Sequence, residues 1–323
     1  MIHLGLLLYG RMVTSMYFLG RLGELELAGG SLAIGLANIT SNSVLSGLAL
    51  GMEPICGQAF GAKKWHLMGL TLQRTILLLL CLCLPIGVLW LNMHKILVWF
   101  GQDQGLSDTA STYLLYSLPD LVAQSILNPL RIYLRTQNIT SPLTHCTSLA
   151  LLVHVGLNYL LVHVWGMGIK GVALASTWTD FNLLFFLLAY IFVFGIHKRT
   201  WVSWSRECVR GWKPLLYLAI PSCISVCLEW WWYELMIVFS SSFPNARASV
   251  SAMGILIQVT SLVYIFPSSL SLAVSTRVGH ELGANMPDRA RHAARVALMC
   301  AMVLALLAMS FTTSMRHVWG SMF

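Results

Sequence analysis

A carboxylate stands inside a long apolar run. Glu229 lies in Cys-Leu-Glu-Trp-Trp-Trp-Tyr-Glu (227–234), within a hydrophobic stretch from about Pro214 to Ser242. An ionisable group at bilayer mid-depth costs roughly 2.5–3.5 kcal/mol on insertion scales, so its presence points to function. A carboxyl there that takes up and releases a proton changes the charge held in low dielectric, and with it the conformation the bundle prefers. A cationic substrate competing for the same group would give exchange through one site. The competing use is a structural carboxyl bonded by neighbouring Trp or Tyr. Glu234, five positions on, is rotated off that helix face and suits either a partner helix or the headgroup region. Earlier in the chain Asp120, Gln124 and Asn128 recur every four residues below Pro119, one polar stripe that either lines a cavity or bonds another helix. Pro119 removes a backbone hydrogen bond and invites a kink there. Trp230, Trp231 and Trp232 cannot all face one way. One or two of them, Trp231 foremost, are placed to stack on a flat or cationic compound, and packing between helices is the ordinary alternative. Glu53 beside Pro54 suits gating or helix capping.

These groups need elements to carry them, and composition says which. Of 323 residues 57% are hydrophobic and 10% charged, against about 25% charged in soluble domains, and the mean hydropathy is +0.73. That is a membrane composition. The eight cysteines are scattered through apolar runs without metal-ligand spacing and read as small buried apolar residues. A net charge of +8 does not signal nucleic acid, because the bases punctuate apolar runs and form no single stripe. The start of the chain, with Arg11 in mid-segment and Glu24 and Glu26 after it, does not read as a cleavable signal peptide.

About 20 apolar residues cross a bilayer as helix. Nine stretches qualify, at about 1–20, 28–51, 68–92, 110–131, 143–165, 170–194, 214–242, 248–275 and 292–314, the first being weakest because it carries His3 and Arg11. Alternate loops and their flanks hold Lys63, Lys64, Arg74, Arg131, Arg135, Lys198, Arg199, Arg206, Arg210, Lys213, Arg277, Arg289, Arg291 and Arg295, which assigns that side to the cytoplasm. The two Asn-Ile-Thr tripeptides, at Asn38 and Asn138, then fall in a span and in a cytoplasmic loop, so neither serves as a glycosylation acceptor.

Gly57-Gln-Ala-Phe-Gly61-Ala62 and Gly279-His-Glu-Leu-Gly283-Ala284 share their spacing of two glycines and an alanine. The register extends back through Ser46, Leu48 and Leu50 against Ser268, Leu270 and Leu272. Both copies follow an even-numbered span, so they point the same way. That is a parallel repeat, with a substrate site expected between the halves. The glycines permit tight turns or close helix approach. The expected organisation is a first lobe of about six helices over 1–197, a basic linker over 198–213, and a partial second lobe of about three helices over 214–323, as though three spans were missing.

The chain resembles a multidrug and toxic compound extrusion (MATE) transporter of the plant detoxification type, over about Leu6 to Met309. The resemblance rests on Phe-Leu-Gly-Arg-Leu-Gly-Glu-Leu-Glu-Leu-Ala-Gly-Gly (18–30), Gly-Met-Glu-Pro-Ile-Cys-Gly-Gln-Ala-Phe-Gly-Ala (51–62), Ile-Pro-Ser-Cys (220–223), the run 227–234, and Ser-Thr-Arg-Val-Gly-His-Glu-Leu-Gly-Ala-Asn (275–285). It implies an all-α membrane fold of two six-helix lobes alternating between inward-open and outward-open forms. It implies efflux or sequestration of small organic, often cationic compounds, driven by protons more than by Na⁺. It implies no cofactor and no enzyme activity, and a monomer in a vacuolar, other endomembrane or plasma membrane. The family's seventh-helix acid corresponds to Glu229, its sixth-helix polar position to Asp180 and its fifth-helix Asn to Asn158. The first-helix aspartate of prokaryotic relatives has no counterpart, since 6–15 contains no acid, and the expected tenth-helix acid lies beyond Phe323.

Asp180 and Asn158 both fall in the non-cytoplasmic half of the first lobe. A carboxylate near an amide suits a second proton or cation site, or an interhelical hydrogen bond worth roughly 0.6 kcal/mol. Two other function classes find no support. No Gly-x-x-x-x-Gly-Lys-Ser/Thr loop exists for an ATP-driven pump, and no nucleophile–base pair for an enzyme. A transport-inactive partner of full-length relatives, or an incomplete gene product, is the alternative to an antiporter.

Overall fold

The computed structural model describes residues 2–200, 206–240 and 246–322; part of the expected linker (201–205) and the end of the seventh expected span (241–242) lie outside them. Among the described residues every regular element is helical. In chain order these are α1 (Ile2–Leu22), α2 (Glu24–Gly61), α3 (Trp65–Leu91), α4 (Gln104–Tyr116), α5 (Leu118–Thr136), α6 (Ser141–Val164), α7 (Ile169–Val193), α8 (Lys213–Ser240), α9 (Ala246–Gly283) and α10 (Pro287–Met322). Short helices at Met93–Trp99 and His197–Thr200 join them.

All except α4 and α5 are long and apolar enough to cross a membrane. The exception is the fourth expected span, which breaks at Ser117 into α4 and α5. Pro119 sits in the first turn of α5, where its missing N–H costs nothing, and Ser117 closes α4 by donating its hydroxyl to the Tyr113 carbonyl at 2.9 Å. The break falls where the kink was expected, and the reason is the same proline.

Two helices run further than hydropathy suggested. Both α2 and α9 span 38 residues and carry the glycine repeats as their last turns. The expected stops at 51 and 275 came from fading hydrophobicity. Packing overrides it, because the repeats cross each other and each covers the other's backbone. Along α2, residues 43–50 lie against α8 and residues 52–61 against α9, so this one helix carries most of the contact between the first seven helices and the last three. Two helices also contain a π-turn, Asn38–Asn42 in α2 and Tyr159–Val164 in α6. Such turns recur at functional sites.

The apolar core lies mainly in α1–α7, with Leu19, Leu45, Leu79, Leu114, Leu127 and Leu187 fully enclosed, and α8 adds Leu215 and Ala219 to it. α10 differs, turning Leu298, Met302, Leu306 and Met309 outward.

Candidate functional site

Asp180, fully buried on α7, is gripped by Arg11 of α1. The guanidinium donates to both carboxylate oxygens, at 2.5 and 2.6 Å, and to the Ser176 carbonyl at 3.0 Å. A fork-to-fork pair of this kind is among the strongest polar contacts available in low dielectric. Asp120, in the first turn of α5, lies within hydrogen-bonding reach of Asp180, and its Oδ1 is buried without a partner. Arg131, further along α5, is in electrostatic range of all three groups. Two acids and two bases therefore share one interior. In the sequence Arg11 weakens the first span and argues against a signal peptide, and its spacing names no partner. A base and an acid each at mid-depth in different spans was the signal that they belong together.

Asn158 sits beside His154 rather than beside Asp180. Its amide donates to the His154 carbonyl at 2.9 Å, and its Oδ1 is buried and unpartnered. His154 is itself fully buried, bonded to Ser15 of α1 at 3.0 Å and to Thr179 of α7 at 2.9 Å. The expected Asp180–Asn158 neighbourhood is thus corrected to an indirect one, through Thr179 and His154. The α6 π-turn starts at the next residue, Tyr159.

A cavity of about 340 Å³ opens beside this network, lined by Arg11, Asp120, Gln124 and Asp180, by Asn38 and Asn42 of the α2 π-turn, and by Tyr113, Trp90 and Trp230. The polar stripe of α5 is therefore split: Asp120 and Gln124 face the cavity, and Asn128 is not part of its lining. Of the three consecutive tryptophans of α8 it is Trp230, not Trp231, that lines this cavity. Trp231 instead donates its indole N–H to the Ile39 carbonyl, in the π-turn, at 3.2 Å.

Glu229 is exposed on α8, is not among the residues lining this cavity, and lies within reach of the Tyr264 hydroxyl of α9. Among the described residues no base pairs with it. Glu234, half-buried, lies against Gly35 of α2, where a Cβ would come within 3.5 Å of its Oε1. Both acids look across gaps between helices, in different directions, as their spacing required.

Glu53 forms a second enclosed ion pair, with Arg135 of α5 at 2.6 Å, leaving Glu53 Oε1 and Arg135 Nε unpartnered. Beside it the two repeats cross. A Cβ on Gly57 would lie 3.4 Å from the Gly279 Cα, one on Gly61 2.0 Å from the His280 carbonyl oxygen, and one on Gly283 2.1 Å from the Gln58 carbonyl oxygen. Close approach, and not a turn, is what the glycines provide. Among the described residues no cluster of three or more metal-ligating side chains occurs.

Comparison with known proteins places this arrangement. The family model described as MatE matches residues 2–160 and 221–323. The chain is 58% identical over 320 residues to Protein DETOXIFICATION 49 of Arabidopsis thaliana, covering 99% of this chain and 64% of the relative. It is 57% identical to Protein DETOXIFICATION 48 of the same plant, covering 99% and 60%. It spans, then, somewhat less than two thirds of the length of these curated relatives. The crystal structure of the eukaryotic MATE transporter AtDTX14 superposes with a TM-score of 0.93 at 30% identity, over 100% of this chain and 72% of that one. An all-helical bundle crossing the membrane many times, folded on two glycine repeats and sharing both sequence and backbone with those proteins, belongs to the MatE family.

Proposed function

We propose that the chain works as a secondary active antiporter, moving small organic compounds across its membrane in exchange for protons, with Glu229 as the coupling acid. One observation carries this reading. Asp180 and Glu53 are each held by an arginine, whereas among the described residues Glu229 meets no base and has the neutral Tyr264 hydroxyl within reach. A carboxylate locked to a guanidinium has no reason to change its protonation during a cycle. A carboxyl beside Tyr264 can hold a proton or release it, and a cationic substrate can take the proton's place. Asp180, in this reading, holds the Arg11 network together, and Asp120 and Gln124 present polar atoms to a substrate in the cavity, with Trp230 as its apolar wall. Protons are favoured over Na⁺ because one carboxylate with one hydroxyl is a poor oxygen cage for a metal ion. A monomer in a vacuolar, other endomembrane or plasma membrane, with lobes at 1–197 and 214–323 and a linker at 198–213, belongs to the same proposal.

The test is flux in reconstituted vesicles under an imposed pH gradient. This chain and a version extended to the length of its relatives are measured side by side. Gradient-dependent uptake of an organic cation that disappears in Glu229→Gln is the expected result. Uptake that persists in that variant removes Glu229 from the mechanism. Uptake by the extended chain alone would assign the activity to the longer form.

A further inference from the structure

The two repeats that cross at the basic end of the molecule are alike in their glycines and unlike in the residue that follows the first one: Gln58 in α2, His280 in α9. The glycines bring the two backbones together without any side chain between them, as the 2.0 and 2.1 Å approaches of the missing Cβ atoms show. Contact of that kind is close but has no direction, and gliding along it meets no specific bond. His280 supplies the direction. Its ring stacks on Phe60 of α2, with centroids 4.4 Å apart and planes at 25°, and its Nε2 lies 2.7 Å from the carbonyl oxygen of Thr136. A carbonyl only accepts, so Nε2 carries the hydrogen.

The acceptor matters as much as the donor. Thr136 is the last residue of α5, where helix carbonyls are left without an intrahelical partner. Arg135, immediately before it, is tied to Glu53 of α2, and Tyr133 is hydrogen-bonded to Thr200. The same helix carries Asp120 and Gln124 into the cavity at its other end, roughly 24 Å away at 1.5 Å per residue. The end of the cavity-lining helix is therefore anchored twice: to its own lobe by Glu53, and to the opposite lobe by His280.

We propose that His280 is the pin that holds the two lobes together at the basic end, by donating from Nε2 to the Thr136 carbonyl while stacked on Phe60, and that it is a positioning residue for closure of that end. Neither Asp180 nor Glu229 is involved, so the inference stands or falls independently of what the protein moves. Because the bond joins a C-lobe side chain to the terminus of α5, opening of the basic end must break it, and reforming it must return α5 to the same place.

The experiment is hydrogen–deuterium exchange on the whole chain in lipid nanodiscs, with no substrate and no gradient. His280→Ala is expected to speed amide exchange in segments 55–62 and 277–284 about five- to tenfold, the loss of one hydrogen bond and one ring contact, while 141–193 stays unchanged. His280→Gln, which keeps an amide donor at similar reach, is expected to restore most of the protection, and a purely space-filling role would not produce that rescue. Phe60→Leu is expected to lie between the two. Unchanged exchange in His280→Ala overturns the proposal. Should His280→Ala loosen the whole bundle, His280→Gln decides: protection at the two segments close to the parent supports the pin, and exchange as fast as in the alanine variant overturns it.

Discussion

Two membrane acids, Asp180 and Glu229, have the same chemistry and opposite surroundings. Asp180 is fully enclosed, and both its oxygens are taken by Arg11. Glu229 is exposed on its helix, with the Tyr264 hydroxyl within reach. Burial depth along the chain does not separate them, since both fall near the middle of a spanning helix. The partner does. In the reading proposed above, a guanidinium on the carboxylate makes Asp180 a structural tie, and the neutral hydroxyl leaves the Glu229 proton free to come and go.

The largest expected effect breaks that contrast from the Asp180 side. Arg11→Met leaves a buried carboxylate unpaired and should lower stability by about 3–5 kcal/mol, with Arg11→Met/Asp180→Leu recovering most of it. Thermal unfolding in detergent measures both, and equal losses in the single and double variants would mean that the pair carries no special weight. Glu229→Gln is expected to bring pH-gradient-driven flux to background, on the order of a hundredfold loss (about 2.7 kcal/mol), while insertion and the unfolding temperature stay as in the parent. Asp180→Asn should do the reverse, losing stability first and flux only in part. A variant with full stability and no flux would make Asp180 the coupling acid after all. Gly61→Ala places a methyl 2.0 Å from the His280 carbonyl oxygen, so the crossing must spread, at a cost of about 1–3 kcal/mol read as faster exchange at 55–62. The smallest effect sharpens the comparison at its edge. Trp231→Phe removes the bond to Ile39 in the π-turn and should cost about 1 kcal/mol in unfolding, without changing which acid couples.

Much of the architecture is legible in the amino-acid order. Long apolar runs and the alternation of basic loops fixed the class of fold, and the paired glycine motifs announced two related halves. Pro119 marked the break between α4 and α5. The site was less legible, for a reason visible in particular residues. Glu229, Asp180 and Asp120 stand out as acids within apolar sequence, whereas nothing in the linear order ties Arg11 or His154 to them. Partners in a membrane bundle come from other helices, and linear spacing says nothing about which helix faces which. The exchange of Trp231 for Trp230 in the cavity has the same origin. Neighbouring residues on a helix point about 100° apart, and which of them meets the cavity depends on how α8 is rotated against α2.

What the amino-acid order determined by itself was local and statistical: helix, membrane, repeat, and a short roster of costly polar residues whose price in lipid demanded a purpose. Pairing, by contrast, is set by the folded arrangement. The same carboxylate is paired or unpaired according to whether an arginine from a distant helix reaches it. The same glycine is a turn or a crossing according to what lies opposite. Both outcomes depend on contacts a few ångströms long between segments far apart in the chain, where electrostatic and packing energies are steepest and where sequence proximity carries no information.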